Sequence, residues 1–116
     1  MKKLELFWPL KQRITGQKFG ECWADVCEQY HVWGLAGHNG IDMGCVDAEP
    51  VYAAHDGIVT YAGGEQSEGW GVVIRTEEQF LDGAGAPYYW KTIYWHLTKD
   101  ISVKVNQRVR IGDVIA

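Results

Sequence analysis

The sequence predicts an all-β protein: a mainly antiparallel, barrel-sandwich-like β-sheet core with a short N-terminal helical segment. Three observations carry that expectation. From Gly37 onward the chain consists of short runs rich in Val, Ile, Tyr and Trp, residues that suit a pleated, half-buried surface. Gly, Asp, Asn and Pro separate those runs, and these are the residues that turn a chain between strands. Only one window spaces its apolar residues as a helix would.

Taken in order, residues 1–20 carry "FWPL" and "RITGQKFG", apolar runs broken by Pro9, Gly16 and Gly20. They read as an edge strand and a turn. The next segment, "ECWADVCEQYHVWGL", places Cys22, Val26, Tyr30 and Trp33 at helical intervals and predicts a short helix ending near Gly34. "EPVYAAHDGIVTYAGG", "GWGVVIRTEEQF", "YYWKTIYWHLT" and "ISVKVNQRVRIGDVIA" read as strands with their turns. Between two of them, "TEEQFLDGAGAPYY" reads as a hairpin loop longer than usual. No repeat or low-complexity linker divides residues 1–116, so a single domain is expected.

Composition narrows the function classes. Hydrophobic residues at 47% and charged residues at 22% are those of an ordinary soluble domain. A net charge of −4 argues against nucleic acid as a partner, because phosphate binding needs a basic surface. No run is long and apolar enough for a membrane span, and Glu5, Pro9 and Lys11 interrupt the N-terminal stretch too early for a signal peptide. Synthesis in the cytoplasm is therefore expected. The three cysteines Cys22, Cys27 and Cys45 are an odd number without a secretory signal, so reduced thiols are expected. The spacing Cys22, Cys27, His31 lacks the second pair of ligands a structural zinc site uses, and idle thiols are the preferred reading.

Two segments carry candidate chemistry. In "GHNGIDMG", strand alternation would point His38, Gly40 and Asp42 the same way, with only a hydrogen at Gly40 between an imidazole and a carboxylate. Those are ordinary zinc donors; on spacing alone, a glycine-rich turn is the favoured reading. In "KTIYWHLT", Ile93, Trp95 and Leu97 alternate with Tyr94 and His96. The apolar set should face the core, leaving Tyr94 and His96 on the other face, in solvent or in a groove. His55, before an Asp-Gly turn, reads as a surface or groove-edge residue, and His31 as one that packs or is solvated.

In their order, "GHNGIDMG", "EPVYAAHDGIVTYAGG", "GWGVVI", "TIYWHLT" and "VKVNQRVRIGDVIA" resemble the strands of the lysostaphin-like, LytM-type zinc metallopeptidases. The family's core reads metal motif, "pVyAahdG.V.yaG", "YgHL", "v.vGq.VkkGdvIa", and the likeness spans roughly residues 14–116. The resemblance implies an antiparallel β-core and an endopeptidase that cuts the peptides of bacterial cell-wall peptidoglycan. It implies zinc ligation by His38 and Asp42, and catalytic assistance from His96 without metal binding. Tyr94, His55 and Trp70 are the expected lining of the substrate groove, with Trp95 beside them. The family's further H-x-H motif, which supplies a third zinc ligand and a second catalytic histidine, does not occur within residues 1–116. The expectation is thus a family domain lacking its last strand, with an incomplete zinc site. Without a signal peptide, action on the cell wall would need another release route, of which phage-encoded lysis is one. The alternative is a catalytically degenerate module of the same fold that binds peptidoglycan or a partner. The C-terminal segment is also similar to biotinyl and lipoyl carrier domains, but no lysine here sits in the exposed hairpin those domains modify.

Overall fold

The computed structural model describes residues 1–22, 27–32, 34–35, 37, 39–45, 49–65 and 69–116, and of Tyr30 the backbone. The chain forms two compact units, one of Met1–Lys11 with Ala48–Ala116 and the other of Gln12–Asp47.

The first unit is built on a four-stranded antiparallel sheet. β1 (Gly57–Glu65), β2 (Gly69–Arg75), β5 (Lys91–Leu97) and β6 (Arg108–Val109) lie in the order β5-β2-β1-β6. Their β-branched residues form its inner face: Val59, Val72, Ile74 and Val109 are all but inaccessible, and Ile115 from the last segment joins them. Burying each of these side chains contributes roughly 1.5–3 kcal/mol. Ala53, Ala54, Tyr94 and Val103 complete the same cluster. The C-terminal segment closes over it through backbone bonds, Val51 N–H to Ala116 O and Ile115 N–H to Val51 O, each 2.8 Å.

The expected long loop between β2 and β5 has structure of its own. β3 (Phe80–Leu81) pairs with β4 (Pro87–Tyr88), and the Asp82 carboxylate accepts the backbone N–H groups of Ala84 and Ala86, both at 2.9 Å. An aspartate bonding its own turn in this way is why Asp is favoured there.

Two breaks in register shape the sheet. β1 carries one extra residue at Thr60, between Val59 and Tyr61. β5 carries another: Trp70 pairs with Leu97 while Val72 pairs with Tyr94, so three steps on β5 answer two on β2. This is a β-bulge, which bends a strand and re-aims its side chains.

In the second unit, α1 (Cys27–Val32) falls within the segment predicted to be helical. Gly34 follows it, with a φ of 79°, the left-handed conformation glycine adopts after a helix, and its N–H donates to His31 O at 3.0 Å. Residues 14–17 pair with 42–44 as a short antiparallel ribbon, with a bridge at Thr15 and Met43. The cysteine expectation is corrected here. Cys22 and Cys27 form a disulfide, with a Cα–Cα distance of 4.7 Å within the range such a bond spans. Cys45 is free and exposed. Among the described residues, no helix is long and apolar enough to cross a membrane.

Candidate active site

Asp42 is fixed by the ribbon of the second unit. Its N–H donates to Gln17 O at 2.9 Å and its own carbonyl accepts from Gly16 N–H at 2.8 Å. A Cβ at Gly16 would lie 3.4 Å from Asp42 Cβ, so glycine opposite the aspartate keeps that side open. The Asp42 residue is exposed. Asn39 and Gly40 form a bend, in keeping with the glycine-rich turn favoured on spacing alone rather than with strict strand alternation. Around a Cβ at Gly40 there is open space. His38 lies outside the described residues.

His96 belongs to the sheet unit, where the β5 bulge gives it a distinctive backbone. Its φ is 62°, the left-handed region that non-glycine residues seldom adopt. Histidine tolerates it better than most, yet such a conformation costs free energy and persists only where surrounding packing over-determines it. Here the determining neighbours are Tyr94, locked in the core, and Leu97, paired with Trp70. The exposed His96 lines a shallow concavity with Gly69, Trp70, Leu97, Thr98 and Lys99.

Two expected groove residues are elsewhere. Tyr94 is buried at 8% exposure and His55 at 2%. They belong to one internal hydrogen-bond chain: Ala54 N–H donates to Tyr94 Oη at 2.9 Å, and Thr92 Oγ1 lies 2.8 Å from both Tyr94 Oη and His55 Nε2. The chain ends where His55 Nδ1 donates to the Asp56 carbonyl at 2.8 Å. Satisfied polar groups of this kind can be buried without the cost of an unpaired one. Burial pushes the Tyr94 phenol above its ordinary pKa, against the opposing pull of the bonds from Thr92 and Ala54.

Ile93, Tyr94 and Trp95 therefore face opposite to the predicted directions, whereas beyond the bulge His96 is exposed and Leu97 packs against the core, as expected. Ile93 is 69% exposed and Trp95 44%. Trp95 lies outside because it rests on glycine: a Cβ at Gly71 would collide with its six-membered ring, and one at Gly69 would sit 3.6 Å from its indole nitrogen. The sequence reading also passed over Gly69, Thr98 and Lys99. The only sequence signal for them is adjacency to Trp70 and His96.

Against this geometry, the profile of peptidase family M23 matches residues 36–116. The chain belongs to peptidase family M23. The matched range holds His38, Asp42 and His96 and the six strands of the described residues. No curated protein matches the chain, and no solved structure does. Membership of M23 makes this a hydrolase-type fold from a family that is typically metal-dependent. Of the ligand pair that the sequence resemblance implies in this M23 chain, the described member, Asp42, fits a metal donor: an exposed carboxylate on a backbone pinned from both neighbours.

Proposed function

We propose that residues 1–116 carry the working core of a zinc metalloendopeptidase that hydrolyses peptide bonds of bacterial cell-wall peptidoglycan. The observation behind this reading is His96: within a segment matched to a peptidase family, it is held at positive φ on the rim of a concavity. His38 and Asp42 would hold zinc through an imidazole nitrogen and a carboxylate oxygen. Bound zinc would supply Lewis-acid polarisation of the scissile carbonyl and a water whose pKa is lowered to about 7. The His96 imidazole would donate a hydrogen bond to that carbonyl oxygen, or pass a proton to the departing amide nitrogen. Trp70 offers a flat apolar wall beside it for the peptide.

The test compares a polypeptide of residues 1–116 with one extended by a strand bearing H-x-H. Catalytic zinc takes three protein ligands and a water, and the shorter polypeptide supplies two in matching positions. Calorimetric zinc titration and a cell-wall turbidity assay should show weak binding and little lysis for the shorter form, and gains in both for the longer. In the longer form His38→Ala should abolish lysis. His96→Gly, which keeps the positive φ, should do so without unfolding the sheet. Tight zinc binding and brisk lysis by the shorter form would refute the incomplete site. An extended form that binds zinc but never cuts would favour a binding module.

A further inference from the structure

A second cluster of metal-ligating side chains lies in the Gln12–Asp47 unit, ahead of the range matched to the peptidase family. We infer that Cys22, Cys27 and His31 form a zinc site that is closed by the Cys22–Cys27 disulfide and opened by its reduction. α1 places Cys27 and His31 four residues apart, one turn above the other on the same side of the helix. Cys22 folds back onto that side, and His31 Nε2 stands 3.8 Å from the sulfurs of both cysteines. All three donor atoms lie within 4.8 Å of one another.

Those distances are close to what the metal needs. Zinc bonds thiolate sulfur at about 2.3 Å and imidazole nitrogen at about 2.0–2.1 Å. Tetrahedral angles between such bonds put sulfur and nitrogen roughly 3.6 Å apart, and the two sulfurs roughly 3.8 Å apart. The imidazole therefore already stands at nearly the required distance from each sulfur. Only the sulfur–sulfur bond must give way.

The chemistry balances with a small-molecule thiol as reductant. Two thiols reduce the protein disulfide to two cysteine thiols and leave as their own disulfide, by exchange through a mixed disulfide. Zinc then displaces two protons, forms two zinc–sulfur bonds and accepts the lone pair of His31 Nε2, whose ring keeps its proton on Nδ1. Water fills the fourth position, and the metal changes no oxidation state. Among the described residues no other three His, Cys, Asp or Glu side chains converge in this way.

Cobalt(II) is the probe, because thiolate ligation gives it a near-ultraviolet charge-transfer band that an imidazole–carboxylate pair such as His38 and Asp42 cannot produce. Residues 1–116 are titrated with cobalt and then zinc, as the disulfide form and after thiol reduction and removal of the thiol. The reduced protein should develop the band to one equivalent and lose it to zinc, while the disulfide form shows none. Cys45→Ser should leave the band intact. Cys22→Ser with Cys27→Ser should remove it, and His31→Ala should weaken zinc binding about tenfold or more. A reduced protein without the band would overturn the site. So would a band that survives the double cysteine variant, or zinc affinity unchanged in His31→Ala. Should a variant fail to fold by circular dichroism, the contrast between the oxidised and reduced parent protein still decides.

Discussion

Under the sheet of the first unit, nine buried residues form one apolar cluster; in the Gln12–Asp47 unit the described residues bury only Gln17 and Gly37. The first unit is specified by packing. In the second, the described residues are held by a disulfide, a six-residue helix and a short backbone ribbon. The difference bears on where strain and ligands can be placed. A close-packed sheet can hold a histidine at positive φ, because its neighbours have nowhere else to go. In the second unit the described order rests on the cross-link and the ribbon, and it is in this unit's sequence that both implied zinc ligands, His38 and Asp42, are found.

The largest effect should come from breaking the packed side of this contrast. Ile74 is wholly buried between β1 and β5, so Ile74→Ala should cost about 2–5 kcal/mol. Urea unfolding should show it as a lower midpoint, and a loss well below 1 kcal/mol would mean the core is not where stability resides.

Next in size is the covalent side. The Cys22–Cys27 bond spans five positions, and closing so short a loop contributes about 2 kcal/mol in the chain-entropy account. Reduction without metal should speed amide exchange within residues 12–47 and leave β1, β2 and β5 protected. Equal deprotection of the sheet would erase the distinction between the units.

The smallest effect sharpens the contrast inside the sheet. The buried Tyr94 phenol has a folded pKa above its ordinary value of about 10. As pH rises past that ordinary value, the unfolded chain releases this proton before the folded one does. The stabilisation is thus complete below pH about 10 and is lost as pH climbs through the folded pKa. Tyr94→Phe should flatten that alkaline loss, at a cost near neutral pH of about 1–3 kcal/mol for the unpaired Ala54 N–H. Denaturant midpoints between neutral and alkaline pH measure both.

Much of this fold was legible because its strands are β-branched runs with turn residues between them; β2 and β5 fall within the predicted segments, β1 passes the end of its own by Glu65 alone, and α1 lies within the helical one. The site was legible only through motif resemblance. Periodicity misassigned Ile93, Tyr94 and Trp95 while placing His96 and Leu97 correctly, because the partner that makes Tyr94 a core residue, Ala54, lies 40 positions away. His55 was misplaced for the same reason, with Thr92 at 37. The bulge at His96 leaves no mark in an apolar-polar pattern, and counting cysteines does not reveal which two of them lie close enough to bond.

Trp95 resting on Gly71 has a consequence for how this sequence can diverge. The motif it resembles, "YgHL", has a small residue where this chain has tryptophan, and the indole fits only because β2 offers no side chain beneath it. Positions 71 and 95 therefore form a lock-step pair. A lineage that acquires the bulky ring must hold glycine across the ladder, and one that loses the ring is released from that constraint. Correlated change at these two positions, tracked across diverging descendants, would be the historical trace of a contact made by one face of one strand.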